Sequence, residues 1–243
     1  MPVLAAVVGL ILMQHLVPPS LREEHNDVAG FIYAVLGVAY AVLMAFVVIV
    51  VWEDYERARD TVETEANELA GVYVLADRFP EPDRERVQEL ARSYARTVVE
   101  EEWPLMERGE TSERASSLLR ELRISLQNVD VNTGAAQVLY DQGLTRVHEV
   151  SDARRLRLLE VNQGLPVVLW VVLIGGGVVT VCFTYLFGLK NNWAHVLMVA
   201  ALTLVICGIL FTIATLEYPF AGQAEVRPYA FEEVLRSFQE SGR

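Results

Sequence analysis

Between Val28 and Trp52 the chain carries no charged side chain, running through FIYAVLGVAYAVLMAFVVIVVW, and that run decides most of what such a chain can fold into. A helix needs roughly 20 apolar residues to cross the hydrocarbon of a bilayer, where every backbone polar group must be paired internally, so this run is a membrane helix. Two further runs of similar length, 165–186 and 193–216, are separated only by FGLKNN and form a hairpin whose tip, at Lys190, barely leaves the bilayer. A shorter run, 2–17, contains Gln14 and His15 and stops at Pro18 and Pro19. A secretory signal peptide is the competing reading of that segment. It is disfavoured because no Lys or Arg precedes the apolar residues and no small-x-small cleavage site follows them, so a retained fourth span is expected.

The expected fold is therefore all-α: a polytopic membrane protein with four transmembrane helices and a helical cytoplasmic domain inserted between the second and third. The expected boundaries are 1–52 for the first transmembrane pair (helices about 2–17 and 28–52), 53–163 for the helical domain, 164–217 for the second pair, and 218–243 for a cytoplasmic tail. Arginine placement sets the orientation, because loops rich in Lys and Arg stay in the cytoplasm. Fifteen arginines fall in 53–163 and three in the tail, against only Arg22 and Lys190 in the opposite loops, so both termini and the middle region are expected in the cytoplasm.

The middle region reads as amphipathic helices. Tyr55, Ala58, Val62, Ala66, Leu69, Tyr73 and Ala76 recur at three- and four-residue steps, one apolar stripe on a charged helix that can extend the second span directly. Pro80 and Pro82 end it, and Pro82 suits the first turn of a helix carrying Val87, Leu90, Ala91, Tyr94 and Val98, closed by Trp103 and Pro104. Ser112 is a candidate cap for a third helix through Leu118, Leu119, Leu122 and Leu126. Asn132 or Thr133 would cap a fourth that runs past Ala153, Leu156 and Leu159 toward the third span. The stripes are narrow, and self-association is expected to bury them better than a lone bundle.

Composition removes several function classes. A net charge of −12 argues against nucleic acid, which needs a basic face. The two cysteines, Cys182 and Cys207, lie inside spans, which leaves no disulfide framework and no multi-cysteine zinc site. Gly175, Gly176 and Gly177 sit in an apolar span and read as close helix packing or a kink rather than a phosphate loop. His148 lacks a second histidine at ligand spacing, and His15, His25 and His195 are scattered near span ends. The acidic runs Glu23–Glu24 and Glu100–Glu102 read as solvated faces. No catalytic constellation and no cofactor or metal site is found, and the chain is not expected to be an enzyme.

On the second span, Gly30, Ala34, Gly37, Ala41, Ala45 and Val48 recur at alternating four- and three-residue steps, one continuous face of small side chains. Such a face lets a neighbouring helix approach closely, or lines a pore when several copies surround an axis; spacing alone favours packing. Glu217, at the end of the fourth span, is tolerable at an interface and not diagnostic.

The stretches HNDVAGFIYAVLGVAYAVL, VVWEDYERA, EEWPLM, YLFG and LEYPFAG resemble the hallmarks of the bestrophin-like domain family of bacterial membrane proteins, over nearly the whole chain. The motif positions map onto Asn26, Asp27, Gly30, Tyr40, Trp52, Tyr55, Glu102, Trp103, Pro104, Phe187, Gly188, Pro219, Phe220 and Gly222. The family's likeness to bestrophins implies a pentameric anion channel of the bacterial plasma membrane, with the second span lining the pore. Its partners would be further copies of itself, membrane lipid and small inorganic ions. On that reading Arg57 and Arg59, or Arg154, Arg155 and Arg157, concentrate anions at the cytoplasmic mouth, where Glu217 also falls; pairing with nearby acids such as Glu53, Asp54, Glu56 and Asp60 is the alternative for the arginines. The chain departs from calcium-gated bestrophins in having a lone Glu217 instead of a dense acidic cluster, and in lacking their phenylalanine constriction. Calcium gating is therefore not expected, and no bestrophin pore residue carries over. The other readings are a membrane-anchored helical scaffold or sensor that binds a protein partner and, last, a small-solute transporter, for which the matching interrupted helices are missing.

Overall fold

The computed structural model describes residues 1–17, 22, 26–129, 134–161, 163–189, 191–221 and 224–241. The expected cap at Asn132 or Thr133, the loop residues Pro18, Pro19, Glu23, Glu24, His25 and Lys190, and the motif residue Gly222 lie outside these. Every element among the described residues is helical: α1 (Pro2–Leu16), α2 (Asn26–Leu75), α3 (Asp83–Thr97), α4 (Trp103–Met106), α5 (Glu113–Gln127), α6 (Gly134–Glu160), α7 (Val167–Thr184), α8 (Asn192–Leu216) and α9 (Tyr229–Ser241). A 3-10 turn, Ala76–Arg78, follows α2, and a π-turn, Val98–Glu102, joins α3 to α4. The chain divides into two units, the first formed by Met1–Glu53 and Gly164–Glu217, the second by Asp54–Gln163 and Tyr218–Arg243.

Among the described residues three helices are long and apolar enough to cross a membrane: α2, α7 and α8. The second span continues without a break into the charged sequence beyond Trp52, giving one helix of 50 residues, roughly 75 Å at 1.5 Å per residue. By contrast α1 has 15 residues, roughly 22 Å, which is short of the ~30 Å of hydrocarbon that a full span must cover.

In the first unit, α1 packs on α8 through Ala6 and Leu10. From α2, Tyr40, Met44, Val47 and Val51 are buried with Leu173 and Val181 of α7 and Val199, Ile206 and Ile213 of α8. The contact between α2 and α7 is made by a ring entering a glycine gap. A Cβ on Gly176 would lie 2.7 Å from the Tyr40 ring, and one on Gly177 would lie 2.9 Å from its hydroxyl, which donates to the Leu173 carbonyl at 2.8 Å. Gly175 faces open space. Two of the three consecutive glycines thus serve close packing.

The second unit has one core. The stripe from Ala58 to Tyr73 on α2, continued by Ala76 in the 3-10 turn, meets Val87, Ala91 and Tyr94 of α3, Val98 of the π-turn, and Leu119, Leu122 and Leu126 of α5. The Ser112 hydroxyl caps α5 by accepting from the Ala115 amide at 3.1 Å. Two expectations are corrected. The stripes bury one another within the chain, so self-association is not needed to cover them. The carboxyl segment is also more than a tail: Phe220, Val226, Phe231, Val234 and Phe238 enter the same core, with Phe238 stacked on Tyr73 at 3.9 Å and the Trp103 indole donating to the Val226 carbonyl at 3.2 Å.

Overpacking a tight helix crossing costs about 1–3 kcal/mol, so Gly176→Ala is expected to lower the melting temperature of the detergent-solubilised protein, whereas Gly175→Ala leaves it unchanged. Equal losses at both positions would contradict the Tyr40 contact.

Candidate functional site

A small-residue face matters only if its own protomer leaves it uncovered. Along α2 the buried side is that of Tyr40, Met44, Val47 and Val51, and the face from Gly30 to Val48 lies about a quarter-turn away by helical phase. Ala34, Ala41 and Ala45 are exposed, and Gly30, Gly37 and Val48 are half-buried. A Cβ on Gly37 would meet nothing within 4 Å, and one on Gly30 only Phe187, at 3.9 Å. Gly37, Ala41, Ala45 and Val48 border an open groove of about 580 Å³ whose far wall is Leu202, Val205, Ile206 and Ile209 of α8. The groove is almost wholly apolar. Large side chains, Phe31, Val35, Val38, Val42 and Phe46, stand exposed on the remaining side of the helix.

The residues assigned to a mouth are placed differently from one another. Arg57 and Arg59 are exposed, paired with Asp54 at 2.7 Å and Glu63 at 3.1 Å, in the class of surface pairs that contribute little to stability. Arg155 is likewise exposed and paired with Asp152. The Glu217 carboxylate accepts from the Leu165 amide at 2.8 Å and the Trp170 indole at 3.0 Å, so it ties the end of α8 to the start of α7.

Arg154 and Arg157 are buried and cannot serve a solvated mouth. Arg157 Nε and Nη2 form a two-pronged pair with Glu65 at 2.6 and 2.9 Å, and Nη2 also reaches Glu102 at 2.8 Å. The same guanidinium lies over the rings of Trp103 and Phe231. Arg154 holds the other side of Glu102 at 2.5 Å and reaches the Ser112 carbonyl at 3.2 Å. The Tyr94 hydroxyl donates to Glu65 at 2.6 Å, and the Ser112 amide donates to Glu102. Glu102 is therefore no solvated acid, because the π-turn shifts the helical phase and carries its side chain inward.

Burial raises the cost of ionising Glu102, yet Arg157 and Arg154 outweigh it and hold its carboxyl below the usual range. Burial, and then Glu65, push Tyr94 well above the ordinary phenol value. Near the end of α6, burial pushes Glu160 up to about 7, only partly offset by Arg57 and by the Thr61 hydroxyl at 3.5 Å; its Oε2 is buried without a partner.

Among the described residues no group of three or more His, Cys, Asp or Glu side chains is arranged to hold a metal ion. His195 is buried against the Thr184 carbonyl at 3.0 Å, and His148 is exposed beside Asp152.

The model of the bestrophin-like domain matches residues 1–231. The chain belongs to the bestrophin-like family. Its fold is similar to crystal structures of a bacterial bestrophin homologue from Klebsiella pneumoniae: one variant is 12% identical, with both chains covered over 100% of their length and a TM-score of 0.72. A second variant is 10% identical over 98% of this chain and 100% of its own, with a TM-score of 0.74. A structure of the same homologue phased on zinc is 12% identical over 98% and 96%, with a TM-score of 0.71. No curated protein matches the chain. Within this bestrophin-like fold the motif residues divide by unit. In the first, the Asn26 side chain bonds the Gly188 amide at 3.0 Å and carbonyl at 2.9 Å, and Tyr40 fills the glycine gap; in the second, Glu102 is one of the buried ions, Trp103 lies against Arg157, and Phe220 packs edge-on to Trp103.

Removing one member of a buried ion group costs about 3–5 kcal/mol, so Arg157→Ala is expected to abolish the cooperative unfolding of the second unit, whereas Arg155→Ala is silent. Stability should also fall on both sides of mild acidity. The Glu102 contribution, from a lowered pKa, is complete above about 4.5 and lost as pH falls through its folded value; the Glu160 contribution, from a raised one, is complete below about 4.5 and lost as pH rises through about 7. Glu160→Gln should therefore raise the melting temperature at pH 8 and leave it unaltered near pH 4. The same shift at both pH values would contradict the assignment.

Proposed function

We propose that the protein is an ion channel of the bacterial plasma membrane, in which copies of the chain, five on the pattern of bestrophins, surround an axis with the Gly30–Val48 face of α2 lining the conduit. Each copy contributes four membrane helices, with the bilayer thinned locally around the short α1 so that it too crosses, and with the second unit and both termini cytoplasmic. The observation that carries this reading is the uncovered small-residue face: a Cβ on Gly37 would meet nothing within 4 Å, and Ala41 and Ala45 are exposed on the same face. Family membership and the bestrophin-homologue fold support it.

Anions are the favoured permeant class. The 28–52 run has no carboxylate to form a cation-attracting ring, and Arg57 and Arg59 follow it on the same helix. Their pairing with Asp54 and Glu63 reduces that field without removing it, because the pairs are exposed to solvent. An apolar wall of this kind gates by wetting and drying.

One observation favours a second reading. The large apolar side chains opposite the small face, Leu202, Val205 and Ile209, form a seat for a neighbouring helix, as in a membrane-anchored scaffold that assembles without conducting.

Flux into liposomes separates the two. If the face lines a conduit, Ala41→Trp lowers anion flux by at least about tenfold while the mass of the assembly is unchanged, since one ring per subunit would fill an apolar constriction. A reconstituted protein silent to all common ions, or one whose flux ignores the substitution, supports the scaffold.

A further inference from the structure

A buried arginine normally comes with a carboxylate, as Arg154 and Arg157 do in the second unit. Arg22, in the first unit, does not. It is only 6% exposed, and among the described residues no carboxylate lies within ion-pair distance of it. Its Nη1 donates to the Tyr185 carbonyl at 3.2 Å and, more weakly, to the Phe187 carbonyl at 3.4 Å. Nε is buried with no partner, and Nη2 makes no hydrogen bond among the described residues. One side of the guanidinium is thus committed to the backbone, and the other meets no acceptor among the described residues.

The committed side has a structural role. The carbonyls at the end of α7 are left without helical partners, and a cation there is favoured by the helix dipole. Neighbouring contacts make this end rigid: Asn26 clasps Gly188, and His195 Nε2 lies against the Thr184 carbonyl. Capping accounts for Nη1 and leaves Nε idle, although a buried donor without an acceptor is destabilising and a buried charge without a counter-charge more so. The Nε and Nη2 edge is the flat fork that pairs with two oxygens of one oxyanion.

The position indicates which oxyanion. Arg22, Asn26 and His195 gather at the end of the first unit where α7 stops and α8 begins, and Trp193, in the first turn of α8, is 83% exposed. Tryptophan and arginine collect where hydrocarbon meets the lipid headgroups, the level at which phosphate is abundant. We propose that Arg22 is the recognition residue of a phosphate site at this end of the membrane unit, its Nε and Nη2 edge taking two oxygens of a phosphodiester headgroup or of free phosphate. The site is separate from the α2 face and does not depend on conduction.

The test uses the full-length protein in detergent, as wild type, Arg22→Lys and Arg22→Gln. Native mass spectrometry reads phosphatidylglycerol retained per subunit, and melting curves in potassium phosphate against potassium chloride of equal ionic strength read free phosphate. The wild type is expected to retain phosphatidylglycerol, or to be stabilised by phosphate over chloride, and whichever effect is seen falls by at least about tenfold in Arg22→Gln. Arg22→Lys, which keeps the charge but not the fork, falls in between. Retention alone identifies the lipid as the source, and phosphate stabilisation alone identifies the free ion. A Glu23→Gln and Glu24→Gln double variant should keep the effect, which shows that the site is not merely balancing loop acids. Retention and phosphate response equal in wild type and Arg22→Gln, or a lower melting point for the variant with no difference in either probe, would leave only the helix cap and overturn the proposal. If Arg22→Gln does not fold, full wild-type binding by Arg22→Lys overturns it as well.

Discussion

Arg157 is sealed from solvent, and a charge so placed costs several kcal/mol unless carboxylates and hydrogen bonds accompany it. The second unit is organised around meeting that demand. Glu65 comes from α2, Glu102 from the π-turn, Arg154 from the turn of α6 before Arg157, and Tyr94 from α3, so one ionic group fixes the mutual register of four chain segments. Two carboxylates and two guanidiniums balance, and aromatic faces from Trp103 and Phe231 cover what remains of the Arg157 cation. Apolar stripes alone would tolerate sliding by a turn, whereas the two-pronged Arg157–Glu65 pair does not.

Among the described residues of the membrane unit there is no such ionic group, and fit replaces charge. The Tyr40 ring lies in the gap left by Gly176 and Gly177, and its hydroxyl finds the Leu173 carbonyl, so one side of α2 is fixed by shape. On the adjacent face, from Gly30 to Val48, the residues are equally small, but the Phe187 ring only touches the Cβ position of Gly30 at 3.9 Å and, among the described residues, nothing enters at Gly37. Small residues filled on one face and unfilled on the next are what an assembly of copies around an axis would use, with the filled face building the protomer and the open one left for the axis.

Much of the fold was readable from the apolar runs and stripes, because burial of Ala58, Val62, Leu69 and Leu122 follows helical period and little else. The readings that failed have a common cause. Arg154 and Arg157, read as a solvated mouth, point inward while Leu156 and Leu159 stand exposed, because ion pairing overrides the apolar pattern there. Glu65 offered a signal, falling on the apolar stripe between Val62 and Leu69. Glu102 offered none, since periodicity cannot foresee a π-turn. The merging of the carboxyl segment into the second core was also beyond periodic reading, because it turns on contacts between residues more than a hundred positions apart. The small face of α2 was visible as a pattern, but its exposure was not.

Cysteine accessibility tests the central claim most directly. With Cys182 and Cys207 replaced by alanine, single cysteines are placed at Gly37, Ala41 and Ala45 and, for contrast, at Val35, Val42 and Phe46. The reconstituted protein is then treated with a membrane-impermeant thiol reagent. If the small-residue face borders an aqueous conduit, the first three positions react and the second three, turned toward lipid or a neighbouring subunit, are protected. The reverse pattern, or six unreactive positions in an intact assembly, would contradict it.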